Sequence, residues 1–154
     1  MKSLKIRKSG IVIICLVVIA TACLYILRPR STADIVSISK VDLSTASIIV
    51  FSGAAGEDFT QVFESKDTND LEKFVSILSP AKARLVEWKP LTGLARKFDE
   101  DAVYVVLIKD NANNRILLDY SDGYLYYNYG KYRVSDQDAT LFLKGLEALC
   151  YKQV

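Results

Sequence analysis

"AVYVVLIKDNANNRILLDYSDGYLYYNYGKYRV", residues 102–134, decides the fold of this chain. It reads as four β-rich runs, "AVYVVLIK", "RILLDY", "YLYYNY" and "KYRV", separated by "DNANN", by "SDG" and by Gly130. Valine, isoleucine, leucine and tyrosine suit a pleated, half-buried surface. Asp-Gly between two such runs supplies the left-handed residues that a two-residue hairpin needs. The stretch therefore predicts an antiparallel meander.

Working outward, "ARLVEW" and "ASIIVFS" predict further strands, with "FTQVFES" following the turn "GAAGED". "DIVSISKVDL" alternates β-branched and polar residues and also predicts a strand. Two helices stand among these runs. Asp67 offers an N-cap, Asp70 favours the positive helix end, and Leu71, Phe74, Val75 and Leu78 form one apolar stripe before Pro80. Ser135 with Asp138 forms a capping box before Leu141, Phe142, Gly145, Leu146 and Leu149, the expected buried face of the last helix. Residues 89–101 predict a longer connection, partly helical around Leu94. The fold class expected is α+β: a mostly antiparallel sheet with two helices packed on one face.

An uncharged segment precedes this unit. Gly10 to Leu27, "GIVIICLVVIATACLYIL", runs 18 residues without a charge, within the roughly 17–25 needed to cross a bilayer. No polar face interrupts it, as a soluble core helix would require. Lys2, Lys5, Arg7 and Lys8 precede it, and Arg28 and Arg30 follow. That excess predicts an N-terminus inside and the rest of the chain outside the cytoplasmic membrane. Cleavage competes with a permanent span. Ala20-Thr21-Ala22 has the form a signal peptidase accepts, and with Cys23 it resembles a bacterial lipobox, which would make Cys23 a lipidated N-terminus. Ala20 stands where a lipobox usually has leucine, and the apolar run continues through Leu24, Tyr25, Ile26 and Leu27. Length and flanks favour the uncleaved anchor. The expected divisions are a basic tail (1–9), an anchor (10–27), a polar linker (28–34) and an extracytoplasmic α+β domain (35–154).

Charge and composition narrow the function. Six basic residues and no acid precede residue 31, leaving 14 Lys+Arg against 18 Asp+Glu beyond it, a net of −4. An acidic domain lacks the basic footprint for nucleic acid. Cys15 and Cys23 lie in the apolar segment, so Cys150 has no intradomain disulfide partner and reads as a small buried hydrophobe.

The succession "VSIS", "FESKDTNDLEKFVSIL", "VYVVLI" and "YYNYGKYRVSDQDATLFLKGLEAL" resembles small extracytoplasmic domains of Gram-positive bacteria of the YhfM-like kind, over about residues 35–149. The resemblance implies a location behind a lipoprotein signal or an N-terminal span, and a fold. It brings no catalytic or binding residues.

The chain has no histidine, which removes the commonest general base and metal ligand. Neither a Walker phosphate loop nor a dinucleotide fingerprint occurs. The acidic run Asp99–Asp101 reads as a solvated loop, because neighbours on an extended chain point apart. "DNANNR", residues 110–115, has Ala112 where a calcium loop needs an oxygen, and reads as a hairpin turn. No metal or cofactor is expected. Tyrosines are the suggestive feature: Tyr120, Tyr124, Tyr126, Tyr127, Tyr129 and Tyr132 fall within 13 residues. Tyr124 and Tyr126 share one strand face and Tyr127 and Tyr129 the other. An outward face with Tyr124, Tyr126 and Tyr132 suits contacts with an envelope protein or cell-wall polymer, and Trp88 has the same character. The expected function is a membrane-anchored, non-enzymatic binding domain. The alternatives are a cell-wall hydrolase using two facing carboxylates and an accessory subunit of a membrane complex.

Overall fold

The computed structural model describes residues 8–54, 58–89 and 103–151. The protein is α+β, and the described residues form eight strands in one antiparallel sheet and four α-helices. In chain order these are α1 (Lys8–Leu27), β1 (Arg30–Ser31), α2 (Thr32–Ile35), a 3-10 turn (Ile38–Lys40), β2 (Ser47–Gly53), β3 (Thr60–Ser65), α3 (Thr68–Leu78), β4 (Lys82–Trp88), β5 (Val103–Lys109), β6 (Arg115–Ser121), β7 (Tyr124–Tyr127), β8 (Gly130–Val134) and α4 (Asp136–Cys150). The strands lie in the order β1-β4-β8-β7-β6-β5-β2-β3, every neighbouring pair antiparallel.

The meander of residues 103–134 forms the centre of this sheet. Ser121 pairs with Tyr124 across Asp122 and Gly123, whose φ values of 49° and 70° make the tight turn that matches strand twist. The next turn differs from expectation. Tyr127 pairs with Gly130, so Asn128 and Tyr129 form a second two-residue turn, with φ of 45° and 65°. Tyr129 is therefore a turn residue and not a strand residue.

Strand alternation sorts the side chains. Ile48, Val50, Val106, Ile108, Ile116, Leu118 and Leu125 lie on one face and share a continuous core with Leu71, Phe74 and Leu78 of α3 and Phe142, Leu146 and Leu149 of α4. The Asp67 carboxylate accepts the Asn69 N–H at the start of α3, and Ser135 Oγ accepts the Asp138 N–H at the start of α4. These caps satisfy amide groups that a helix end leaves bare. Gly145 lets the two helices approach closely: a Cβ there would stand 2.8 Å from Cγ1 of Ile77. Leu141, placed on the buried face by its spacing, is instead 61% exposed, because the core-facing stripe of α4 runs through Phe142, Leu146 and Leu149.

Residues 34–43, expected as a strand, contain the second half of α2 and the 3-10 turn. Ser37 has a φ of 56°, which breaks any extended run. Thr32 fixes the segment from a distance: its N–H donates to the Ala81 carbonyl at 2.9 Å, and its hydroxyl donates to the Leu78 carbonyl. Ala33, Ile35 and Val36 are buried in the core. Tertiary burial overrides local β preference here. The expected linker of residues 28–34 shortens accordingly. Only Arg28 and Pro29 separate α1 from β1, whose Arg30 and Ser31 pair with Ala83 and Lys82 of β4.

Among the described helices, α1 alone is long and apolar enough to cross a membrane, and no residue of Gly10–Leu27 is buried by the rest of the protein. The Arg28 N–H donates to the Leu24 carbonyl at 3.1 Å, and the Arg28 guanidinium lies 4.4 Å from the centre of the Tyr25 ring. The end of α1 sits beside β4.

Candidate functional site

The tyrosines come from three consecutive strands, and register assigns each to a face. Tyr124 and Tyr126 lie on the face opposite the helix-lined core, paired across β7–β8 with Arg133 and Lys131 and across β6–β7 with Ser121 and Asp119. The Lys131 ammonium stands 4.1 Å from the Tyr124 ring centre and 5.5 Å from that of Tyr126. A cation over an aromatic face is attracted by the ring quadrupole. Tyr126 is only 5% exposed and Asp119 only 1%, and Ser121 and Val103 beside them are buried too. This part of the sheet is closed, so Tyr126 offers a partner no open ring.

Tyr132 does not join them. It pairs with Leu125 across β7–β8 and packs against the core from the opposite face. Its ring lies over Gly130, where a Cβ would come within 2.5 Å of it. Burial pushes its phenol above the ordinary range, with Arg30 pulling the other way. Tyr127 also packs against the core. Only Tyr124 of the three expected contacts is half open on the sheet surface.

Two of the exposed aromatic groups stand together at one end of β4 and β8. Trp88 is 63% exposed and Tyr129 is 55% exposed. The Lys89 N–H donates to the Tyr129 carbonyl at 3.1 Å, which ties the end of β4 to the turn. Val86, the extra residue of a β-bulge between Leu85 and Glu87, is exposed beside them. The sequence signal for Tyr129 was the short Asn-Tyr pair between two β-rich runs. A tyrosine at positive φ is uncommon, which hid it.

Two of the described carboxylates, Asp110 and Asp42, are occupied by structure. Asp110 is buried and accepts the Asn114 N–H at 2.8 Å, the Asn114 side-chain amide at 2.8 Å and the Asp42 N–H at 3.2 Å. The turn expected at "DNANN" is thus held by its first residue. Asp42 spends its own carboxylate on Ser44 and Thr45. The Asn114 amide holds the Asp110 carboxyl below the usual aspartate range, against the opposing effect of burial, and the Asp42 and Asn114 N–H groups add to the lowering. A depressed folded-state pKa contributes stability that is complete above the unfolded value and is lost as pH falls through the folded one. Asp110→Asn is therefore expected to lower the melting temperature at neutral pH, with the gap to wild type closing below about pH 4. A gap that stays constant across that range would show that ionisation of Asp110 plays no part.

Cys150 is half-buried beside Tyr104 and Glu147, at a cavity of about 350 Å³ that Ser52, Val62 and Tyr151 also line. Burial, then the Glu147 charge, pushes its thiol up. A protonated thiol is a weak nucleophile. Among the described residues, no group of three or more His, Cys, Asp or Glu is placed to hold a metal ion. The Asp99–Asp101 run and most of the 89–101 connection lie outside the described residues.

No family model matches the chain, and no curated protein and no solved structure matches it.

Proposed function

We propose that the protein is a single-span membrane protein whose α+β domain stands on the extracytoplasmic side of a Gram-positive cytoplasmic membrane and binds an envelope protein or cell-wall polymer without catalysing a reaction. The observation that carries this reading is α1, an apolar helix covered by none of the described residues and joined to the sheet through two residues. An apolar helix with no protein cover is stable in lipid and costly in water. Four basic residues before the span against two after it favour the inside-to-outside orientation.

The domain itself favours binding over chemistry. The chain has no histidine, and Asp42, Asp67, Asp110 and Asp138 spend their carboxylates on turns and caps. In this reading α3 and α4 close one face of the sheet, and the exposed aromatic pair Trp88 and Tyr129 is the contact surface. Large amphipathic rings of this kind bury much area at low entropic cost. The location accords with the one that the YhfM-like resemblance implies.

The test isolates the tagged full-length protein from its own membranes and quantifies co-purifying components by mass spectrometry. Trp88→Ser with Tyr129→Ser is expected to lower recovery of the specific partner by about tenfold or more, with the domain's melting temperature unchanged. Equal recovery would retire this surface. Loss on Tyr124→Ser alone would move the site to the sheet face.

A further inference from the structure

The membrane end of the chain meets the sheet at a basic groove of about 470 Å³, lined by Pro29, Lys82, Arg84, Arg133, Asp136 and Asp138 among others. We propose that this groove seats the phosphate of an anionic phospholipid headgroup from the bilayer that holds α1. The inference rests on the reading of α1 as a membrane span.

Three observations carry it. The first is register. Arg84 and Arg133 are direct partners across β4–β8, and both are exposed. Like charges placed directly opposite on a sheet repel and destabilise it. An anion between them removes that repulsion, and a phosphate matches the fork geometry of two guanidinium groups.

The second is the disposition of the nearby acids. Asp138 accepts the Ser135 hydroxyl at 2.7 Å and the Lys82 N–H at 3.1 Å, so its carboxylate is used in capping α4 and fixing β4. Asp136 pairs with Arg133 at 3.3 Å from an almost fully exposed position, where a pair contributes little. Arg84 has no ion pair among the described residues.

The third is position. Pro29, two residues beyond the last residue of α1, is itself a wall of the groove. With α1 in the bilayer, the groove stands at the level where phosphates lie. Arg28 and Arg30 add to the local positive charge although the domain as a whole is acidic. A basic side chain at an anionic surface is attracted by about 1 kcal/mol, or about fivefold, and salt weakens the effect.

The test uses the full chain in nanodiscs of phosphatidylcholine alone or of a phosphatidylcholine–phosphatidylglycerol mixture. Amide hydrogen exchange is read in residues 82–88 and 130–135. Exchange there is expected to slow by about fivefold or more in the anionic discs, and the difference to shrink in high salt. Arg84→Gln with Arg133→Gln should abolish the difference with exchange in α3 unchanged, while Arg84→Lys with Arg133→Lys, which keeps the charge and loses the fork, should retain only part of it. Equal exchange of the wild type in both discs overturns the proposal. So does equal slowing by free glycerol phosphate added to the neutral discs, which would make the groove a soluble-anion site. Extraction of the wild type by alkaline carbonate would overturn the span itself, a failure read on anchoring and so distinct from a failure of headgroup binding.

Discussion

Phe142→Ala is expected to cost the domain about 3–5 kcal/mol, the usual range for removing a buried phenylalanine. Phe142 is almost wholly buried and holds α4 to the sheet. Its ring centre lies 4.7 Å from that of Tyr120, tilted by 49°, in the range where aromatic pairs attract beyond simple burial. The Tyr120 hydroxyl then donates to the Ala139 carbonyl at 3.2 Å, so one strand residue meets both the side chain and the backbone of α4. Truncation removes the ring and leaves a cavity under a helix fixed at its start by Ser135. The expected fall in melting temperature, followed by circular dichroism in detergent, is on the order of 10–20 °C. Phe142→Leu should lose much less, because it refills most of the volume. A loss under about 1 kcal/mol for the alanine variant would mean that α4 is not seated as described.

Gly145→Leu is the second large effect, about 1–3 kcal/mol, and its origin is crowding. A Cβ at this position would lie 2.8 and 2.9 Å from Cγ1 and Cγ2 of Ile77. Those atoms branch from the Ile77 Cβ and cannot swing away as the end of a long chain would. α3 and α4 must therefore separate, which opens the core around Phe74 and Phe142. Gly145→Ala tests the balance more finely: alanine favours the helix by about 1 kcal/mol over glycine, against the same clash. Ile77→Ala in the Gly145→Leu background is expected to restore part of the lost stability. Full stability of Gly145→Leu alone would show that the helix pair has slack at this point.

The central meander was legible because each signal in it is local. Asp122-Gly123 sits between β-rich runs, and Asp67 and Ser135 stand directly before apolar stripes, so a short window holds both cause and effect. Residues 34–43 were misleading because their cause is remote. Thr32 is fixed by the carbonyls of Leu78 and Ala81, nearly fifty residues along the chain. The grouping of Tyr132 with Tyr124 and Tyr126 on one face differs from the structure for a related reason. Alternation correctly paired Tyr124 with Tyr126, but only the β7–β8 register shows that Tyr132 opposes Leu125 and faces inward. Burial of Tyr126 and Asp119 on the far face carries no periodic signature at all. Trp88 was visible as a strand-end aromatic, whereas the company of Tyr129 depends on a two-residue turn that tyrosine seldom occupies.

The join at Arg28 and Pro29 sets the working radius of the molecule. Two residues can extend by no more than about 7 Å, so with α1 in lipid the sheet is moored like a bollard and cannot drift like a buoy. A folded unit of about 120 residues has a radius of gyration of about 14 Å, which keeps every side chain within a few nanometres of the bilayer. If α1 stays in lipid as proposed, whatever the sheet meets has to arrive at the membrane surface.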